Sequence, residues 1–317
     1  MYKNCLIAYL DIVGFTDAIR KADADEVGIE SIAAVLKGLT EGAQVIRDKT
    51  LKHWKQPCNA VTFSDSIVIC FPELSDDSFI SMVNIVAALQ FDVTSDSFFL
   101  RGGVSNGWHY ESEGVMFGQA YLKAYELEKL ALWPRVVIDP RLLRTFPKKQ
   151  VDVYLGAFLN RDETGLCYLN YLTLANRHFA FNEVERYKKG EITSPDLTRV
   201  PRVHKERLLS AINKVKRTRS IETLMKLHGL AEYHNRFIRV SGELLPETDD
   251  LDKLDPSTPA GKFLGTFRKE ALQLEGTTEG DVREFLREWV SYSGKGRQQL
   301  DDCQIDMASS FKLLYRA

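Results

Sequence analysis

The stretches "AYLDIVGFTDA" (8–18) and "VTFSDSIVICF" (61–71) each set one aspartate against a run of strand-forming residues. Asp11 follows "CLIAYL" and Asp65 precedes "SIVICF". A carboxylate in such a setting is costly to bury unless something positive meets it. Around these stretches the pattern alternates. "CLIAYLDIV" (5–13) reads as a buried strand, after which Gly14 opens a helical stretch, "FTDAIRKAD". A second helix is expected over "GIESIAAVLKGLTEGAQVIRDKT", where apolar residues recur every three to four positions. "AVTF" and "SIVICF" form a hairpin with Ser64, Asp65 and Ser66 at its tip. The helix "DSFISMVNIVAALQFDVTS" and the strand "FFLRGGVSNG" follow, then "WHYESEGVMFG", the helix "QAYLKAYELEKLALW" and the strand "RVVI".

This order is β-α-β-β-α-β with an extra hairpin, helix and strand. It predicts an α+β, ferredoxin-like βαββαβ core, an antiparallel sheet with helices on one face. Residues 150–185 are less regular, with "LCYLNYL" as a further strand. From Pro201 the chain reads as helical, interrupted by the polar segment "PETDDLDKLDPSTPAG". The expected division is a catalytic domain over 1–190 and a helical extension over 191–317.

The whole chain excludes several classes. It has 317 residues, a net charge of -2 and 44% hydrophobic residues, enough for a sizeable core. A pI near 6.3 gives no basic excess for nucleic acid or an anionic membrane. No apolar run suits a spanning helix. The N-terminus reads as a first strand and lacks a signal-peptide cleavage site. Cys5, Cys58, Cys70, Cys167 and Cys303 are scattered and form no C-x-x-C pair. A zinc site or disulfide framework is therefore not expected, and a reducing cytoplasm is. The basic residues Lys205, Arg207, Lys214, Lys216, Arg217 and Arg219 read as a solvated helical face.

In the expected topology Asp11 and Asp65 lie side by side. Two close carboxylates repel unless a proton or metal intervenes. Oxygen ligands favour Mg²⁺ or Mn²⁺, which share one or two carboxylates with substrate phosphates. Gly14, Phe15 and Thr16 open a helix, whose N–H groups make a small anion cradle. Together these features suit a nucleoside triphosphate and metal-assisted phosphoryl transfer.

The motifs "LDIVGFT", "FSDSIVI" and "LRGGVSNGWHYESEGVMFGQAYLKAYELE" resemble, in order, three motifs of the class III nucleotidyl cyclases. Ser64 stands where the second motif usually has glycine, while Arg101, Gly103, Gly107, Gly118, Ala124 and Glu128 match the third. The resemblance spans about residues 4–140. It implies that Asp11, Asp65 and the carbonyl of Ile12 hold two metal ions, Mg²⁺ or Mn²⁺. It also implies an active site formed between the two chains of a homodimer. Val61, Val115, Leu122 and Glu126 stand where cyclases acting on ATP carry polar readers of base, ribose and transition state. That combination is most similar to the bacterial Pycsar antiphage pyrimidine cyclases, whose helical extension carries a segment like "LAEYHNRF" (230–237).

The resemblance implies conversion of UTP to 3′,5′-cyclic UMP and pyrophosphate, a messenger for a separate effector protein. Cyclic CMP production and an inactive nucleotide-binding dimer are the alternatives. Arg101, Lys123, Arg135 or a basic residue of the second copy is expected to meet the phosphate charge, with Arg101 preferred as catalytic. Gly14, Phe15, Thr16, Ser64 and Tyr121 are the expected substrate-binding residues. Tyr121 and Tyr125 are i, i+4 neighbours that wall a base pocket or pack in the core.

Overall fold

Every residue from Cys5 to Leu10 in strand β1 (Tyr2–Ile12) is buried, so both faces of the sheet around it are covered. The computed structural model describes residues 2–22, 29–30, 32–42, 45, 57–94, 98–112, 115–193, 196, 198–218, 220–243, 251–272, 278–291 and 299–311. Parts of the second expected helix (28, 31, 43–44 and 46–50) and of the acidic segment (246–250), and Arg219 of the basic group, lie outside them. After β1 come α1 (Phe15–Ala22), a helical stretch over 32–42, β2 (Asn59–Phe63), β3 (Ser66–Phe71), α2 (Asp76–Val93) and β4 (Leu100–Ser112). β5 (Val115–Gly118), α3 (Gln119–Leu130) and β6 (Val136–Ile138) complete the expected order. α4 (Pro140–Leu143), α5 (Lys148–Ala157), β7 (Leu159–Arg161) and β8 (Cys167–Leu169) then add to it.

The strands form one sheet in the order β2-β3-β1-β4-β6-β8-β7, with β5 paired to β4. The pairs are antiparallel except β4 with β6. The first four strands follow the ferredoxin-like arrangement, so the α+β core is as expected. α2 packs on β1, β3 and β4. Ser75 caps it through the reciprocal bonds of a capping box with Ser78, which satisfies its first free N–H groups. Its outer end is held by Phe79, which meets Phe146, Tyr154 and Phe158.

The additional helix α3 covers the face that the ferredoxin helices leave bare. Ala120 and Ala124 pack there with Cys5, Ile7, Tyr9, Val68 and Cys70. Close approach depends on Gly103, because a Cβ there would lie 2.3 Å from the Ala124 carbonyl oxygen. Three residues of one α3 face, Tyr121, Tyr125 and Glu128, are thereby laid over β1 and β4.

The chain divides into two compact units, one chiefly Met1–Leu174 with Ser210–Leu230, the other Ala175–Leu209 with Ala231–Lys312. Segment 210–230 thus groups with the sheet. The second unit is built from portions of α6 (Tyr171–Lys188), α7 (Arg199–Thr218) and α8 (Ile221–Glu243). To these it adds α9 (Pro259–Ala271), α10 (Glu279–Ser291) and α11 (Met307–Ser310). Phe181 stacks on Phe267 and Tyr187 meets Phe285 edge-on.

The "YHN" segment is a backbone clamp in this unit. Asn235 donates to the Ile305 carbonyl at 2.9 Å and accepts the Ile305 N–H at 2.8 Å. His234 Nε2 donates to the Cys303 carbonyl at 2.9 Å. Its Nδ1 is therefore the acceptor, and the fully buried His204 donates Nδ1–H to it across 3.0 Å. Among the described residues no helix is long and apolar enough to cross a membrane.

Two outcomes follow. Gly103→Ala drives a methyl into helix backbone and is expected to cost about 1–3 kcal/mol or more, measured by urea unfolding. Burial pushes His204 well below 6.5 and His234 down to about 4. The unfolded chain then binds more protons, so stability is present above the ordinary histidine value and lost as pH falls from 6.5 toward 4. The slope is up to about 1.4 kcal/mol per pH unit for each ring, read from the urea midpoint at pH 7 and pH 5 in wild type and His204→Gln.

Candidate functional site

Asp11 and Asp65 meet because of strand register. β1 pairs with β3 so that Asp11 lies opposite Ser66, which puts Asp65 one step beyond, at the hairpin tip. The tip is tied to β1 by the Ile12 N–H, which donates to the Asp65 carbonyl at 3.1 Å. Only Ser64 and Asp65 separate the paired Phe63 and Ser66. Ser64 takes a left-handed backbone with φ of 51°, a conformation glycine adopts without the Cβ penalty. The substitution of serine for the usual glycine therefore keeps the turn at a local conformational cost.

The register with β4 places Arg101 opposite Asp11. Its guanidinium donates to Asp11 Oδ2 through Nε and Nη2 at 3.4 and 3.3 Å. It also pairs with Glu128 Oε1, from α3, at 2.5 Å. The Ser66 hydroxyl donates to Asp11 Oδ1 at 3.3 Å, and Ser66 in turn is 2.8 Å from the Tyr9 hydroxyl. Burial pushes the Asp11 carboxyl up from its ordinary value; Asp65 adds to this, while Arg101 and Ser66 oppose it. Burial likewise raises Glu128, with Arg101 opposing. Burial pushes the Tyr9 phenol up to about 12.

Asp11 and Glu128 thus share one guanidinium, whose contacts to Asp11 are long, and Asp65 adds a further negative charge beside Asp11. That donor set, hard oxygens short of positive charge, fits a divalent cation held by Asp11 and Asp65. The first turn of α1 begins beside it. Gly14 has φ of 78°, which delivers the chain into the helix, and the Ala18 N–H bonds its carbonyl at 3.0 Å. The Phe15 side chain is buried and Thr16 is exposed, so Phe15 offers this turn only its backbone.

The other sequence candidates are more scattered. Tyr121 is edge-on to Tyr9 at 5.9 Å, as is Tyr125 at 5.3 Å; both pack on the sheet. Arg135 is buried and bonds Asp162 at 2.7 Å, flanked by Trp133 and Tyr168, so it serves the β6–β8 edge. Val61 is half-buried, whereas Val115, Leu122 and Glu126 are exposed. The feature that sequence reasoning missed is the role of Glu128 and Ser66 as the groups that hold Arg101 and Asp11. Glu128 stood in the third motif, but nothing local linked it to Arg101.

No protein-family model and no curated protein matches the chain. Among solved structures it is similar to the adenylyl cyclase CyaB from P. aeruginosa, at 13% identity and a TM-score of 0.40, over 53% of this chain and 94% of that one. It is also similar to a class III adenylyl cyclase-like ATP-binding protein from Pseudomonas aeruginosa, at 10% identity and a TM-score of 0.40. That match covers 55% of this chain and 40% of the other.

Arg101→Gln removes the cation that Asp11 and Glu128 share and is expected to destabilise the fold at pH 7 by about 1–3 kcal/mol. Both carboxyls would then rise further above their unfolded values. The variant's deficit should therefore shrink as pH falls through those raised values toward 4, measured by urea unfolding with chelator present.

Proposed function

We propose that the chain is a nucleotide cyclase that converts UTP to 3′,5′-cyclic UMP and pyrophosphate. The observation that carries this is the union of Asp11 and Asp65 at one strand end, short of positive charge and beside the opening turn of α1. Asp11, Asp65 and the Ile12 carbonyl are the groups that would hold two Mg²⁺ or Mn²⁺ ions. Bound there, the metals supply charge neutralisation on the phosphates and ease deprotonation of the attacking ribose hydroxyl.

The chain's own residues prepare the site. Ser66 and Arg101 fix the two oxygens of Asp11, so that its carboxylate is oriented before metal arrives. Glu128 holds Arg101 close to, but not wholly upon, Asp11, so that with a metal on Asp11 part of that guanidinium would be left to face a phosphate. The N–H groups of Gly14, Phe15 and Thr16 supply an anion cradle at the N-terminus of α1. Ser64 borders the site at the hairpin tip. Tyr121 sets the position of Tyr9 and, through Ser66, of Asp11.

The pyrimidine assignment is supported by what stands at four positions. Val61, Val115 and Leu122 lack hydrogen-bonding side chains, and Glu126 is an acid, so none offers the cationic donors of an ATP-specific site. Because Arg101 already serves two carboxylates, a further phosphate-facing cation is supplied by a second copy in the proposed homodimer. Catalysis is assigned to the sheet-bearing part of 1–190, with 191–317 as a helical extension. The product is read as a cytoplasmic antiphage messenger for a separate effector.

The test is purified protein with Mn²⁺ and each of the four ribonucleoside triphosphates, products being resolved by mass. Cyclic UMP is expected to dominate. Cyclic CMP or cyclic AMP as the main product would displace the substrate assignment, and no cyclic product would favour the nucleotide-binding dimer. Asp65→Ala is expected to lower turnover by about 100-fold or more.

A further inference from the structure

At the opposite end of β1 a second set of ligand-type side chains converges. The Cys70 sulfur on β3, a ring nitrogen of His109 and a carboxylate oxygen of Glu111, both on β4, all lie within 4.8 Å of one another. His109 and Glu111 alternate along β4 and so share a face. That face is the one on which Cys5, Ile7 and Cys70 pack beneath α3. Cys5, on β1, packs with Cys70 in the same buried cluster.

His109 is 1% exposed, and neither of its ring nitrogens has a hydrogen-bond partner. A buried imidazole without partners forgoes the full solvation of two polar atoms, so this side chain is short of a ligand. Burial also lowers its proton affinity and leaves the neutral ring that metals bind. Glu111 is half-buried and raised by burial. The Asn59 side-chain amide donates to its Oε1, which fixes the carboxylate while leaving its other oxygen to coordinate.

We infer that Cys70, His109 and Glu111, with Cys5 as fourth ligand, form a zinc-class metal site. One or two thiolates, an imidazole and a carboxylate are a donor set for Zn²⁺, whereas Mg²⁺ and Ca²⁺ take oxygen alone. Tetrahedral zinc draws its ligand atoms to about 3.3–3.8 Å from one another, so the present cluster closes by roughly an ångström, within reach of small side-chain rotations. The metal would staple β3, β1 and β4, three neighbouring strands of the sheet. Its distance from Asp11 along β1 is about 20 Å, six residues at strand rise. It is therefore a separate site and does not depend on the proposed cyclase activity.

The experiment uses the full chain, purified under reducing conditions, stripped with chelator and titrated with Zn²⁺ or Co²⁺. One tightly bound ion is expected in the presence of excess Mg²⁺. For Co²⁺ a sulfur-to-metal charge-transfer band and tetrahedral d–d bands should appear, and zinc should raise the thermal midpoint. Cys70→Ser and His109→Asn are expected to lose the stoichiometric binding, and Cys5→Ser combined with Cys70→Ser to abolish the charge-transfer band, while Asp65→Ala retains both. Asn59→Ala, which unties Glu111, should weaken zinc by about tenfold. If the two core variants do not fold, Glu111→Gln decides, with binding lost at an unchanged circular dichroism spectrum. Absence of the charge-transfer band, its persistence when Cys5 and Cys70 are both serine, or a Cys5–Cys70 disulfide in protein that takes up no zinc would overturn the assignment.

Discussion

A carboxylate at the inner end of the central strand must be met by positive charge, and the sheet's upper end is arranged around that need. Asp11 is supplied by β1, its cation by the opposite residue of β4, and the cation's second partner by α3. Each contribution depends on a different feature of the sequence. Strand register brings Arg101 to Asp11, while the absent side chain of Gly103 lets α3 descend far enough for Glu128 to reach Arg101. The hairpin tip then adds Asp65 and overturns the balance: one guanidinium serves two acids raised by burial, and a third acid lies beside Asp11. A fold that needed only to be stable would gain by replacing one of these acids, since such pairs are poor sources of net stability. Their retention in this arrangement is the physical argument for a cation-dependent site.

β1 carries donors of opposite character at its two ends. At one are aspartates and a glutamate with a backbone carbonyl; at the other are sulfur and imidazole with a single carboxylate. Ligand softness sorts metals between such sets without any need for differing shapes. Mg²⁺ would not displace zinc from the proposed cysteine–histidine cluster, and a thiophilic ion gains no sulfur at Asp11. Both sites also join the same three strands, so occupation of the lower one bears on the rigidity of the register that sets the upper.

Much of the core was legible because its signals are local. "CLIAYLDIV" is continuously apolar up to Asp11, the hairpin tip is short and polar, and α2 shows helical periodicity. Apart from the Asp11–Asp65 juxtaposition that the strand order predicts, contacts between distant residues were not legible. Arg101 and Glu128 belong to a strand and to the helix after the next strand, and only the assembled sheet shows that they touch. The lower cluster is hidden for the same reason: its ligands come from three strands, and a search for close cysteine pairs passes over it. Its one local trace is the alternation of His109 and Glu111, which places both on one face. Around residue 170 the error was of another kind. "LCYLNYL" is apolar at adjacent as well as alternate positions, so periodicity cannot separate strand from helix; the strand ends at Leu169 and α6 begins at Tyr171.

Helix α3 connects the site to the outside in two ways. Its Glu128 holds Arg101, and its Tyr121 and Tyr125 press on Tyr9, whose hydroxyl reaches Asp11 through Ser66. Leu122 and Glu126 lie on the exposed side of the same helix, as does one edge of Tyr125. A rigid helix shifted by contact on that outer side would move the guanidinium and the tyrosine together. The Asp11 carboxylate would then lose or gain a cation and a hydrogen bond at once. If the proposed homodimer assembled over α3, that assembly and metal uptake at Asp11 would be coupled through two short chains of contacts. The exposed residues of α3 would then act on the charge and orientation of a group they never touch.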